Sequence, residues 1–214
     1  MGGCCAADDG TKGNLNTGNK PKKGQNKVTG ADQYGSEMND ENSILHLLKP
    51  EAKKTLSELE PFEPEGFKKK SWGMKAVEFR EERQGAYYSG FIDSSSEKRH
   101  GFGKYLSSDG SLHEGFFKDG VKEGPGRKIF ANGEWLICTF ENDRAVGEGE
   151  YHFADGSVYT GQFKDSAFHG HGQEVMGNGD MYIGTYSHNM RNGKFTHTKK
   201  DGSEFKGDFE DNEI

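Results

Sequence analysis

From Tyr88 onward, large apolar residues alternate with polar ones in short runs broken by glycine. A period of two places alternate side chains on one face of a strand, so the chain predicts a succession of short β-strands. The fourth run shows the unit best: Tyr159-Thr-Gly161-Gln-Phe163, then His169-Gly170-His171-Gly172, then Asn178-Gly179. The position of Tyr159 recurs as Tyr88, His113, Leu136, Tyr159, Tyr182 and Phe205, at spacings of 25, 23, 23, 23 and 23. Two residues on stand Gly90, Gly115, Cys138, Gly161, Gly184 and Gly207, and two further on Ile92, Phe117, Phe140, Phe163, Tyr186 and Phe209. Asp or Asn followed by glycine precedes the later units, ending in Gly110, Gly133, Gly156, Gly179 and Gly202, with Gln84-Gly85 before the first. Such dipeptides between alternating residues predict hairpins with type I′ turns. Tyr88, Ile92, Phe117, Phe140, Tyr159, Phe163, Tyr182, Tyr186, Phe205 and Phe209 then form an aromatic and apolar ladder. The glycine between each pair leaves room for a ring from the neighbouring repeat. The paired glycines Gly101/Gly103, Gly124/Gly126, Gly147/Gly149 and Gly170/Gly172 are expected to make the tight return into the next strand.

Upstream the pattern differs. Residues 1–42 are rich in Gly, Asn, Lys, Asp and Thr and poor in apolar residues, as expected of a flexible tail. Residues 43–64 read as a short helical segment. Ser43 is placed to cap Ile44–Leu48, and Pro50 opens a second helix with Ala52, Leu56 and Leu59 on one stripe, ended by Pro61 and Pro64. Two roles fit it, cover for the first edge of the sheet or a partner-binding amphipathic segment, and the first is favoured. Residues 65–87, with an apparent strand at Trp72–Phe79, read as an N-terminal cap or degenerate repeat before the array at 88–214.

Six units in register resemble the MORN (membrane occupation and recognition nexus) repeat family, as five repeats and a truncated sixth. The resemblance implies an all-β fold, an elongated single-layer antiparallel meander with one hairpin per repeat. Twelve strands about 4.8 Å apart would extend on the order of 55–60 Å. Ser94-Ser95-Ser96 in the first unit predict a longer turn, and Cys138 on a glycine position is expected to be packed rather than reactive.

Composition narrows the function. Hydrophobic residues make up 30% of the 214, below the share of roughly 45–50% in ordinary domains, so a large conventional core is not expected. No stretch approaches the roughly 20 apolar residues of a membrane span, and no cleavable leader is visible, so a soluble cytosolic start is expected. The formal charge of −7 lies wholly in residues 88–214, which argues against nucleic acid as a partner. Three cysteines suit a reducing compartment. Met1-Gly2-Gly3-Cys4-Cys5 resembles dually acylated proteins, implying myristate on Gly2 and palmitate on Cys4 and Cys5. Position 6 is Ala6 where that pattern prefers Ser or Thr. Lys20, Lys22, Lys23 and Lys27 add a basic cluster near the membrane surface.

The Gly-x-Gly pairs recur with the repeat and lack the context of a nucleotide loop, so no cofactor is expected. His169 and His171 have spacing compatible with zinc, but His169, like His100, occupies a position where MORN units often carry histidine; no metal is expected. The chain leaves no room for a catalytic domain beside the repeats, so it reads as a non-enzyme. The leading expectation is a scaffold or adaptor on the cytoplasmic face of a plasma or ciliary membrane, tethered by acylation and binding protein partners through the repeats. The alternatives are a structural subunit of an axonemal or cytoskeletal assembly, and a phospholipid-binding module. A homodimer is compatible with either.

Overall fold

The computed structural model describes residues 44–62 and 73–212. Twelve strands follow one another in an open antiparallel sheet whose spatial order is the order of the sequence. They are β1 (Met74–Arg83), β2 (Ala86–Asp93), β3 (Arg99–Leu106), β4 (Leu112–Lys118), β5 (Val121–Ile129) and β6 (Trp135–Glu141), then β7 (Arg144–His152), β8 (Val158–Lys164), β9 (Ala167–Val175), β10 (Met181–Ser187), β11 (Met190–Thr198) and β12 (Glu204–Phe209). A 3-10 turn (Ile44–Leu47) and one helix, α1 (Pro50–Glu58), precede the sheet. The first strand runs to Arg83, beyond the expected Trp72–Phe79; Trp72 and Ser43 lie outside the described residues.

The turns alternate between two rims, and at Gly110, Gly133, Gly156, Gly179 and Gly202 their chemistry differs from the expected type I′. At Ala154-Asp155-Gly156 the amide of Phe153 donates to the Ser157 carbonyl and that of Gly156 to the Phe153 carbonyl, closing a three-residue loop. Asp155 Oδ1 accepts the Ser157 amide at 2.9 Å, and only Gly156 is left-handed, at φ 85°. This is a turn followed by a glycine bulge, held by an Asx bond that keeps the Asp or Asn itself out of the left-handed region. The same arrangement recurs at Asn132-Gly133, Asn178-Gly179 and Asp201-Gly202.

Two-residue turns with both φ positive sit on the opposite rim, at Asp119-Gly120, Asn142-Asp143, Asp165-Ser166, His188-Asn189 and Asp211-Asn212. Their strained backbone has a purpose. The second residue donates its amide to the preceding repeat, as Asn189 does to the Phe168 carbonyl, while its side chain accepts the amide of that same residue at 2.7 Å. Asp143, Ser166 and Asn212 repeat this reciprocal staple. The first such turn is lengthened, as expected: residues 94–97 close beneath Asp93, whose Oδ1 accepts the amides of Ser95 and Ser96.

The paired glycines therefore do not make the return. They lie within β3, β5, β7 and β9, and the second of each joins a row crossing the whole sheet: Gly90, Gly103, Gly115, Gly126, Cys138, Gly149, Gly161, Gly172, Gly184, Phe195 and Gly207 are paired in turn. The ring over this row comes mainly from the same repeat, not from the neighbour. A Cβ on Gly172 would meet Tyr159 Cε2 at 2.6 Å, and one on Gly161 would meet the Gly172 Cα at 2.6 Å. Tyr159 is thus laid flat in a glycine trough, fully buried, with its hydroxyl donating to the Gln162 carbonyl at 2.8 Å. Tyr88 does the same, donating to the Phe91 carbonyl. By this device the sheet buries rings with no second layer above them among the described residues.

Candidate protein-binding face

The two faces of the sheet have different fates. The ring face carries the glycine row and the ladder. Tyr88, Ile92, Phe117, Phe140, Tyr159, Phe163, Tyr186 and Phe209 are all buried there. Rings meet edge-on along it, as in Tyr159–Phe163, Tyr159–Tyr186 and Phe195–Phe209. Tyr182 is half-buried, stacked on His197 at 4.2 Å with the Arg191 guanidinium 3.8 Å from its ring centre. Phe205 is 52% exposed, since no strand follows β12 among the described residues to receive its ring.

Three units fill the trough differently. Leu136 and Cys138 replace the Tyr and Gly of the motif, so a shorter residue beside a larger one occupies a similar space. Cys138 is buried, and burial pushes its thiol up to about 12, which leaves the inert thiol form dominant. In the fifth unit the Phe195 ring covers Gly184 while Tyr182 swings aside. His113 stands at a Tyr position, 2% exposed, pressed between Phe117 and Phe140. Burial, with Lys122, Lys128 and Arg99 nearby, holds its pKa well below the usual histidine value.

On the opposite face an apolar row runs along the rim of glycine turns. Tyr87, Leu106, Leu112, Ile129, Trp135, His152, Val158, Val175, Met181 and Thr198 are paired in succession. Over its first half lie the 3-10 turn and α1. Leu48 and Ala52 are buried with Leu106, Leu112 and Ile129, and Leu45, Leu56, Leu59, Tyr87 and Trp135 pack around them. The expected stripe of Ala52, Leu56 and Leu59 does face the sheet. It covers the broad face of the first three repeats, however, rather than the first edge, because the apolar row is there. Thr55 Oγ1 donates to the Gly133 carbonyl at 2.7 Å.

A charged lock secures the end of this segment. Glu114, 2% exposed, receives Arg127 Nε at 2.9 Å and Lys104 Nζ at 2.9 Å. Arg127 also donates to the Glu60 carbonyl at 2.8 Å, and Phe62 stacks on Phe102 at 6.4 Å. Burial alone would raise the Glu114 carboxyl; Lys104 and Arg127 outweigh it and bring it below its ordinary value. Glu114 and Arg127, not among the residues singled out from the sequence, are opposite charges facing each other across β4 and β5.

Over the second half of the face nothing among the described residues lies on the sheet. Trp135 and His152 stack at 3.6 Å where α1 ends. Beyond them Val175 is 36% and Ile183 44% exposed, with Val158 and Met181 half-covered beside them. Thr160, Gln173 and Thr196 occupy the row that holds Glu114 and Arg127 in the covered half.

His169 lies edge-on to His188 at 6.0 Å and His171 is exposed; among the described residues no three His, Cys, Asp or Glu side chains converge as metal ligands. Gly2, Cys4, Cys5, Lys20, Lys22, Lys23 and Lys27 lie outside the described residues. No described helix is long and apolar enough to cross a membrane.

Comparison with known proteins finds MORN repeats at residues 98–112, 113–135, 139–158, 159–181 and 182–204. The first match begins after the Ser94–Ser96 insertion, and the third begins after Cys138, so both departures from the pattern fall outside the matched stretches. No curated protein matches the chain. Among solved structures, the SAS-4 (dCPAP) TCP domain in complex with a proline rich motif of Ana2 (dSTIL) of Drosophila melanogaster is similar at 12% identity and a TM-score of 0.35. That match covers 71% of this chain and 99% of that one.

Proposed function

We propose that this protein, a chain carrying five MORN repeats, is a non-catalytic adaptor: the repeat sheet binds protein partners while an acylated N-terminus holds it to the cytoplasmic face of a membrane. The observation that carries the binding half is the split apolar row, covered by the chain's own helix over the first repeats and open over the later ones. The tether rests on Gly2, Cys4 and Cys5. A single myristoyl chain binds membranes only weakly, with a constant of about 10⁴ M⁻¹, so a second acyl group is what would make attachment stable. The acidic balance of residues 88–214 favours protein over anionic lipid as the partner of the repeats.

Mass spectrometry of the native N-terminus tests the tether, together with membrane partitioning of a Gly2→Ala, Cys4→Ser, Cys5→Ser variant. Lipid on these residues and release of the variant to the soluble fraction are expected. Unmodified residues, or unchanged partitioning, would remove the membrane half of the reading and favour a cytoskeletal or axonemal subunit that needs no lipid.

A further inference from the structure

The geometry of α1 on the sheet says what the open half can hold, an inference that rests on the adaptor reading. Lys49 lies over the turn at Gly110, and Thr55 with Glu51 over the next turn on the same rim, at Gly133. Those turns are one repeat apart, two strands or about 9.6 Å. From Lys49 to Thr55 is six residues, about 9 Å of helix at 1.5 Å per residue. The helical segment therefore advances along the stacking direction, at up to about six residues per repeat by the Thr55 contact and fewer by that of Glu51. Leu48, Ala52, Leu56 and Leu59 all pack on the apolar row.

The same rim and row continue past the helix. A Cβ on Gly156 would meet nothing within 4 Å, in contrast to the crowded Gly133. Val158, Val175 and Met181 follow Trp135 and His152 in the paired row, with Ile183 beside them. From Gly133 to Gly179 is two repeats, about 19 Å or roughly 13 helical residues.

We infer that Val158, Val175, Met181 and Ile183 form a docking face for an amphipathic helix of a protein partner, laid along the stack in line with α1. The partner carries an apolar stripe at i, i+3, i+4 and i+7 with lysines or arginines on its flanks. The basic flanks follow from charge: residues 144–214 contain 12 Asp and Glu against 7 Lys and Arg, and Glu150, Asp155, Asp180 and Asp201 stand beside the open row against Lys199 and Lys200. A second copy of this chain fits less well. Its own helical segment is secured through Arg127 to the Glu60 carbonyl, and the open half offers Thr160 and Gln173 in that row instead.

A helical peptide library, randomised in sequence and displayed on phage, tests this when selected against the full-length chain. Enriched peptides are expected to be helical, striped and basic, and to bind at least 10-fold more weakly to Val175→Lys and Ile183→Lys. Both positions are exposed enough to accept lysine. Binding to Phe205→Lys, on the ring face, is expected to be unchanged. Binders indifferent to Val175→Lys and Ile183→Lys would overturn the docking face while leaving a protein-binding role intact. Enrichment of extended or acidic peptides overturns the partner class. Recovery of no binders at all would overturn both the face and the protein-binding reading. Sedimentation with phosphatidylserine vesicles that is lost on Ile183→Lys would make the face a lipid contact and overturn the inference.

Discussion

The first three repeats share one backbone design with repeats four and five, yet the first three lie beneath the helical segment and the last two do not. Under the helix the apolar row is wholly buried at Leu106, Leu112 and Ile129, whereas its continuation leaves Val175 and Ile183 partly in water. The ring face keeps its central row in both halves, filled by Tyr88, His113 and Leu136 with Cys138 in one, and by Tyr159 and Phe195 in the other. Repetition thus supplies a scaffold that needs no second layer on the ring face. What distinguishes the halves is a handful of side chains on the other face: Glu114, Arg127 and Lys104 where the helix is held, and Thr160, Gln173 and Thr196 where it is not.

Breaking the lock should have the largest effect. Arg127→Ala leaves buried Glu114 with Lys104 alone and frees the Glu60 carbonyl, and removing one partner of a buried ion pair costs up to about 3–5 kcal/mol. Urea unfolding should show a loss of that size, and amides of residues 50–58 should exchange freely while those of β8–β11 keep their protection. A change under about 1 kcal/mol, or uniform deprotection, would mean the two halves are not separable as described.

The trough permits a sharper comparison. Leu136→Tyr pushes a ring against Cys138 and should destabilise by roughly 1–3 kcal/mol, the usual penalty of overpacking. Adding Cys138→Gly restores the arrangement of Tyr159 and Gly161 and should recover most of that loss. Additive effects in the double-mutant cycle would refute the account of Leu136 and Cys138 as an alternative filling.

Acid should also separate the halves. His113 has a folded pKa well below its ordinary 6.5. Above 6.5 it is neutral whether folded or not; as pH falls below that value the unfolded chain takes up a proton that the fold resists, and stability is lost. Glu114, held below its ordinary 4.5, contributes stability that is present above 4.5 and lost as pH falls through the lower folded value. Both belong to repeat two, so hydrogen exchange at pH 7, 5.5 and 4 should show the covered half loosening before β8–β11. His113→Phe should remove the first step.

The smallest effect is expected at Phe205→Ala, within about 0.5 kcal/mol, because that ring lies mostly in water. A larger loss by urea titration would show that the end of the array is packed more tightly than its exposure indicates.

Period, strand number and ladder were legible because each repeat must solve the same problem, burying rings in one layer, with the same residues. The turn chemistry was legible only in part. Asn-Gly marks a turn in the sequence, but whether its two residues are both left-handed depends on the Asx bond to the residue beyond, as at Asn132 and Glu134. The opposite rim gave almost no local signal: Asp165-Ser166 and His188-Asn189 adopt positive φ because their second residue bonds to the preceding repeat, a long-range requirement. Glu114 and Arg127 were hidden for a related reason. Opposite charges on neighbouring strands look like solvated surface until one knows that a helix lies over them. The open face at Val175 and Ile183 could not be read as such either, since alternation shows which residues share a face and not which face is left bare.

The helix that covers the first repeats also sets an order of events during synthesis. Thr55 must find Gly133, 78 residues downstream, and Arg127 must find the Glu60 carbonyl across 67. Neighbouring hairpins, by contrast, close over about one repeat, so the sheet can zip strand by strand from local contacts. At a typical 5–20 residues per second, the nascent helical segment waits on the order of 4–16 s for its receptor to be made. For that interval its apolar stripe has no intramolecular home, and a chaperone or a membrane surface near the ribosome would meet it first.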